Sequence, residues 1–159
     1  VHYETGEKMP EEMIRNIIDA ANFNVGYACL RQLSFGMLDM AWHTIREPFE
    51  GDVADFEREA WEKTTILPDV PGAFMSTAFG HIFAGGYAAG YYGYKWAEVL
   101  DADAFAAFKE HGIFDKETAR SFRTNILSKG GTDNPSVLYQ RFRGKAPSID
   151  ALLERNGVK

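Results

Sequence analysis

The chain has 159 residues and a mass of 17.8 kDa, enough for one ordinary domain that buries about two thirds of the surface its unfolded state exposes. Hydrophobic residues at 45% and aromatics at 14% exclude disorder for most of the chain, because burial of that much apolar surface offsets the entropy of ordering. A net charge of −6 and a pI near 5.2 argue against a general nucleic-acid binder.

The charge is uneven: residues 116–159 hold 9 basic against 4 acidic side chains, leaving 8 against 19 for residues 1–115. Such a basic end is read as contacting its own or a sister domain. Pro10 with Glu11 and Glu12 suits the start of a helix, where proline loses no bond and carboxylates meet the positive end of the dipole. Met13, Ile14, Ile17 and Ile18 then give a helical repeat, broken at Asn22 and Asn24. Tyr27, Leu30, Leu33, Met37, Leu38 and Trp42 resume it at three- and four-residue steps. Pro48 predicts a stop near Arg46.

Asp52 or Asp55 is expected to cap a helix through Thr64, with Phe56, Ala60 and Trp61 apolar among Glu57, Glu59, Glu62 and Lys63. Lys95 to His111 reads as a further helix with Trp96, Val99, Leu100, Ala104, Phe105 and Phe108 inward and Gly112 as its stop. Asp115 can cap Lys116–Ser128, in which Ala119, Phe122 and Ile126 share a face, with Gly130-Gly131 ending it. Asn134-Pro135 starts a short helix through Phe142, and Ser148 caps a last one with Ile149, Leu152 and Leu153. No strand alternation persists, so the fold class is all-α.

Cys29 is the single cysteine, which excludes an intrachain disulfide and favours a reducing compartment such as the cytoplasm. Its mid-helix position predicts a buried, inert thiol. The polar start shows no signal peptide, and Val1 in place of Met points to a chain cut from something longer. Residues 70–94 carry no charged side chain, yet Pro71, repeated glycines and only two Val, Ile or Leu residues make them a poor membrane span. No membrane association is expected.

The four histidines, His2, His43, His81 and His111, lie too far apart for two to share a helical turn, so no metal site is expected in this chain. His43 and Glu47, at i and i+4, read as a surface pair. No GxSxG, GxGxxG or phosphate loop is present. What remains is GHIFAGGYAAGYYGY over residues 80–94. As a helix it would align Tyr87, Tyr91 and Tyr94. Four glycines from Gly85 to Gly93, each costing about 1 kcal/mol in a helix interior, favour instead a loop that enters a helix near Tyr91. On residues alone, tyrosines filling a core and a glycine loop contacting a ligand are both open.

HIFAGGYAAGYYGYKWAEVLDADAF, SFRTNILSKGG and LYQRFRGKAPSIDALLERNG, with HYETGEKMPEEMI and LRQLSFGMLDMAWH, run over essentially the whole chain. Together they resemble the thimet oligopeptidase, oligopeptidase A and peptidyl-dipeptidase family of zinc metallopeptidases, on the bacterial side. The resemblance implies a C-terminal segment, residues 1–159, of a larger helical enzyme that cleaves short peptides in a deep channel. Its zinc ligands, HExxH and a downstream Glu, would lie upstream of HYETGE, in an N-terminal portion of the same enzyme. Zinc is thus implied for the complete enzyme, and this chain alone is expected to be inactive.

By the same likeness the glycine-rich loop, residues 80–93, carries the site. His81 and Tyr87, with Gly85 and Gly86 shaping the turn, would contact the substrate backbone. Tyr94 would be catalytic, donating its hydroxyl to the oxyanion. Tyr91 would contribute to substrate binding in a supporting or packing capacity, as would Tyr92 to packing. A phenol is ordinarily protonated at neutral pH and can donate to developing negative charge. The alternative is a non-enzymatic helical module that binds a peptide or protein through the same tyrosines.

Overall fold

The computed structural model describes residues 1–158, and among them there are helices and loops but no strand. The chain forms two compact units, Val1–Tyr92 and a second beginning at Gly93. The division falls inside the glycine-rich run.

The first unit contains α1 (Glu11–Ala21), α2 (Val25–His43), α3 (Val53–Trp61), a 3₁₀ turn (Ser76–Ala78) and α4 (Gly80–Phe83). Helix α1 follows Pro10, with Glu11 and Glu12 in its first turn as expected, and Asn24 in the left-handed region separates it from α2. Helix α2 ends at His43, before the stop assigned to Pro48. Its last turn is closed by Thr44, whose hydroxyl donates to the Met40 carbonyl at 2.8 Å.

Asp52 is the cap of α3, its carboxylate accepting from the amides of Ala54 and Asp55 at 2.8 and 3.0 Å. Phe35 and Leu38 of α2 meet Phe79, Ile82 and Tyr91 in the core, and Trp42, Phe56, Ala60, Trp61 and Met75 pack around them. Edge-on ring contacts of Phe35 with Tyr91 at 5.7 Å and of Phe79 with Tyr91 at 5.1 Å fix this cluster.

Glu57 departs from its expected place. It was expected on the polar face of α3 and is instead 3% exposed, because its carboxylate accepts from the amides of Met75 and Ser76 and from the Ser76 hydroxyl, each at 2.7 Å. Three donors compensate its desolvation. The Trp42 indole in turn donates to Ser76 Oγ at 3.0 Å.

The second unit contains α5 (Gly93–His111), α6 (Lys116–Phe122) continuing into a π-helical segment (Arg123–Leu127), α7 (Pro135–Arg143) and α8 (Asp150–Arg155). Asp115 and Asn134 cap α6 and α7 by accepting from the amides of Thr118 and Ser136. Ser148 Oγ accepts from the Asp150 amide at 3.2 Å. Gly112, at φ +118°, follows the end of α5.

Val99 and Ala102 of α5 pack on Leu152 of α8. Trp96 and Phe105, expected inward, are exposed, and Ala119 is exposed as well. The buried stripe of α5 runs through Val99, Ala102, Asp103, Ala104 and Ala107, which includes Val99 and Ala104 as expected and leaves Trp96 and Phe105 off it. On α6 the wider π turn leaves Phe122 and Ile126 half-buried.

Candidate active-site loop

Residues 79–92 do not form the single helix that would align Tyr87, Tyr91 and Tyr94. Gly80–Phe83 is one helical turn, Ala84–Tyr92 is a chain of turns, and α5 starts at Gly93. The loop therefore begins four residues later than residue 80, and the helix begins two residues beyond Tyr91.

Two glycines are required by the turn itself. The Tyr87 amide donates back to the His81 carbonyl at 3.1 Å, and this closure brings Gly85 so near that a Cβ there would lie 3.0 Å from both the Cα and the O of His81. Gly86 sits at φ +81°, a conformation that side-chain-bearing residues resist. His81 and Tyr87 thereby end on one side of a tight turn, their ring centroids 6.0 Å apart.

The sequence-expected residues divide by exposure. His81 is exposed and Tyr87 is 38% exposed. Tyr91 is 8% exposed, its ring in the core and edge-on to His81 at 5.9 Å. The structure thus brings His81, Tyr87 and Tyr91 together, with Tyr91 as the buried member that supports the others. Tyr94 stands in the first turn of α5, 41% exposed. Tyr92 is exposed, and the Tyr92 backbone lies against Gly36 of α2, 3.7 Å from where a Cβ would be.

One side chain central to this loop was not singled out from the sequence. Asp39 of α2 is fully buried, at 0% exposure. Its Oδ1 accepts from the Ala89 amide at 2.9 Å and its Oδ2 from the Tyr91 amide at 2.8 Å. His43 Nδ1 lies 2.8 Å from Asp39 Oδ1 and is also within 2.8 Å of the Asp39 carbonyl. His43 is therefore joined to Asp39, one turn earlier, and not to Glu47, which lies beyond the helix end. The signal was available: Asp39 falls in the Phe35, Leu38, Trp42 stripe, where a charged residue must be compensated.

Cys29 is half-buried, not fully enclosed. Among the described residues no group of three or more His, Cys, Asp or Glu could hold a metal ion; the zinc ligands that the resemblance implies would lie upstream of this chain. No helix among them is long and apolar enough to cross a membrane.

The model of Peptidase family M3 matches residues 1–158. The chain belongs to this family. It is 46% identical over 159 residues to oligopeptidase A of Escherichia coli, covering 99% of this chain and 23% of that protein. It is 45% identical over 162 residues to the organellar oligopeptidase A of Arabidopsis thaliana, covering 99% of this chain and 20% of the relative. It is 41% identical over 159 residues to the dipeptidyl carboxypeptidase of Escherichia coli, again 99% of this chain and 23% of the other. The chain thus spans about a quarter or less of the length of these relatives.

Proposed function

We propose that this chain is the part of a peptide hydrolase that supplies the substrate-binding and oxyanion-stabilising wall of the active site, and that the zinc ligands reside elsewhere in the complete protein. The observation that carries this reading is the exposed presentation of His81 and Tyr87 on a turn built for them, combined with family membership over residues 1–158. A purely structural role for the tyrosines would bury them, as it does Tyr91.

In this reading His81 and Tyr87 hydrogen-bond the backbone of a short peptide, as a side chain and a phenol can do without regard to substrate sequence. Tyr94 donates its hydroxyl to the carbonyl oxygen as negative charge develops there, a bond that matters most in the transition state. Zinc would supply the activated water in the complete protein, and no step assigned to residues of this chain involves it. By itself the chain is inactive.

The remaining length of the protein also has a place to pack. Met13, Ile14, Ile17 and Ile18 of α1 are all exposed and α1 buries no residue. An apolar helix face of this size is unfavourable in water unless covered, which supports the partnership of this chain with the N-terminal portion of the enzyme. The single cysteine agrees with action in the cytoplasm.

The test is Tyr94→Phe in the complete protein. Loss of an oxyanion donor is expected to lower kcat about 10²–10³-fold with a smaller change in KM, whereas Tyr87→Phe should act more on KM. A Tyr94→Phe protein with near-normal kcat and a lowered melting temperature would make this phenol structural and withdraw the assignment.

A further inference from the structure

Asp39 does more than neutralise a gap in the core. It is a fully buried carboxylate on α2 whose two oxygens each accept a backbone amide from the same distant turn, Ala89 at 2.9 Å and Tyr91 at 2.8 Å. Those amides lie outside any helix. Ala89, which supplies the first of them, is at φ +51°, a left-handed conformation that alanine adopts at a cost and retains only where surroundings enforce it. The Asp39 carboxylate grips this strained residue and its second neighbour together.

From there the restraint passes outward through named contacts. The Tyr91 ring is fixed by Phe35 and Phe79, it meets His81 edge-on at 5.9 Å, and His81 meets Tyr87 at 6.0 Å. The Gly90 amide donates to the Tyr87 carbonyl at 2.9 Å, tying the clasped turn to the Tyr87 backbone as well. His43, 2.8 Å from Asp39 Oδ1, holds the carboxylate from the side of its own helix.

We propose that Asp39 is the positioning residue of the glycine-rich loop: by clasping the Ala89 and Tyr91 amides it holds the turn in the conformation that presents His81 and Tyr87 to substrate. It touches no substrate itself. The effect on turnover rests on the peptidase reading above; the clasp does not.

Both parts are tested in the complete protein. In the unsubstituted protein the Ala89 and Tyr91 amides, though outside any helix, should exchange with solvent as slowly as amides within α2. Rapid exchange at either would overturn the clasp, and this measurement needs no variant to fold. Asp39→Asn conserves shape but replaces one accepting oxygen with an amide group that cannot accept. Exchange at Ala89 and Tyr91 should then speed up by about ten- to a hundredfold, the range expected for loss of a charge-assisted bond, while amides of α3 change little.

Peptide hydrolysis by the same variant should show KM raised by about tenfold or more with kcat changed less, as expected when groups that hold substrate are no longer preorganised. Uniformly faster exchange throughout residues 1–92 would make Asp39 an ordinary core residue. A loosened turn with unchanged KM and kcat would overturn its positioning role. Failure of the peptidase reading would show separately, as absent hydrolysis or an unaffected Tyr94→Phe protein, with the exchange result still deciding the clasp.

Discussion

The two units use buried carboxylates in opposite ways. In the first, Asp39 and Glu57 bind backbone amides of segments that follow them by 18 to 52 positions, at Met75, Ser76, Ala89 and Tyr91. In the second, Asp103 of α5 binds side chains of α7: the Tyr139 hydroxyl donates to its Oδ2 at 2.6 Å, and Arg143 Nε lies 3.5 Å from the same oxygen. Arg143 also donates to the Asp103 carbonyl at 3.0 Å and to both oxygens of Glu110 at 2.8 and 2.7 Å. A carboxylate that grips backbone imposes a path on a loop, whereas one that grips side chains joins two helices that already have their own hydrogen bonds. The first unit is therefore where loop geometry is built. The second is where helices are locked.

The largest effect expected from this contrast is at Glu57. Glu57→Ala removes the acceptor of three donors at once, two of them buried, and should destabilise the protein by about 3–5 kcal/mol. The accompanying change should be local, with faster exchange at the Met75 and Ser76 amides. If those amides stay protected in the variant, the carboxylate does not set the path of the segment, and the contrast between the units fails.

Next comes Arg143. Arg143→Met keeps the aliphatic stem but leaves the Asp103 carboxylate buried with Tyr139 as its remaining side-chain donor, for an expected loss of about 2–3 kcal/mol. Here the loss should appear in global unfolding, with the amides of α5 and α7 keeping their relative order of exchange. A variant that instead frees one loop selectively would erase the distinction.

These carboxylates also mark the limit of what the sequence disclosed. The all-α class, the breaks at Asn22 and Asn24, the caps at Asp52, Asp115 and Asn134 and the stop at Gly112 were legible, because each rests on local backbone chemistry within a few residues. Glu57 was misplaced because helical spacing put it beside Glu59 and Glu62, and only the return of Met75 and Ser76 satisfies it. The outward positions of Trp96 and Phe105 were likewise unreadable, since periodicity identifies an apolar stripe without saying which part of a broad one finds a neighbour.

In the loop, the resemblance pointed to His81, Tyr87 and Tyr94, but a residue fifty positions upstream shapes the turn between them. Asp39 could have been suspected from its place between Leu38 and Trp42. Its partners could not, because backbone amides leave no mark in a sequence.

The smallest of these effects is at Tyr139, and it can be separated by pH. Tyr139→Phe removes one hydroxyl and keeps the ring that packs edge-on to Phe142, so the expected loss is about 1–2 kcal/mol near neutral pH. Burial foremost, then donation to Asp103 and the charge of that carboxylate, push the phenol well above its ordinary value, while the Arg143 charge pulls it down by less. A raised value in the folded state means that the hydroxyl contributes fully below the unfolded phenol's pKa of about 10 and less as the pH climbs past it, because the unfolded chain then gains by losing the proton. Phenylalanine has no such proton. The stability gap between the two proteins should accordingly be constant up to about pH 8 and shrink by about pH 11, with the other tyrosines cancelling because both proteins carry them. A gap that stays constant across that range would mean that the folded protein holds the phenol's proton no more tightly than the unfolded chain does, and the bond from Tyr139 to Asp103 would then not be among the contacts that lock α5 to α7.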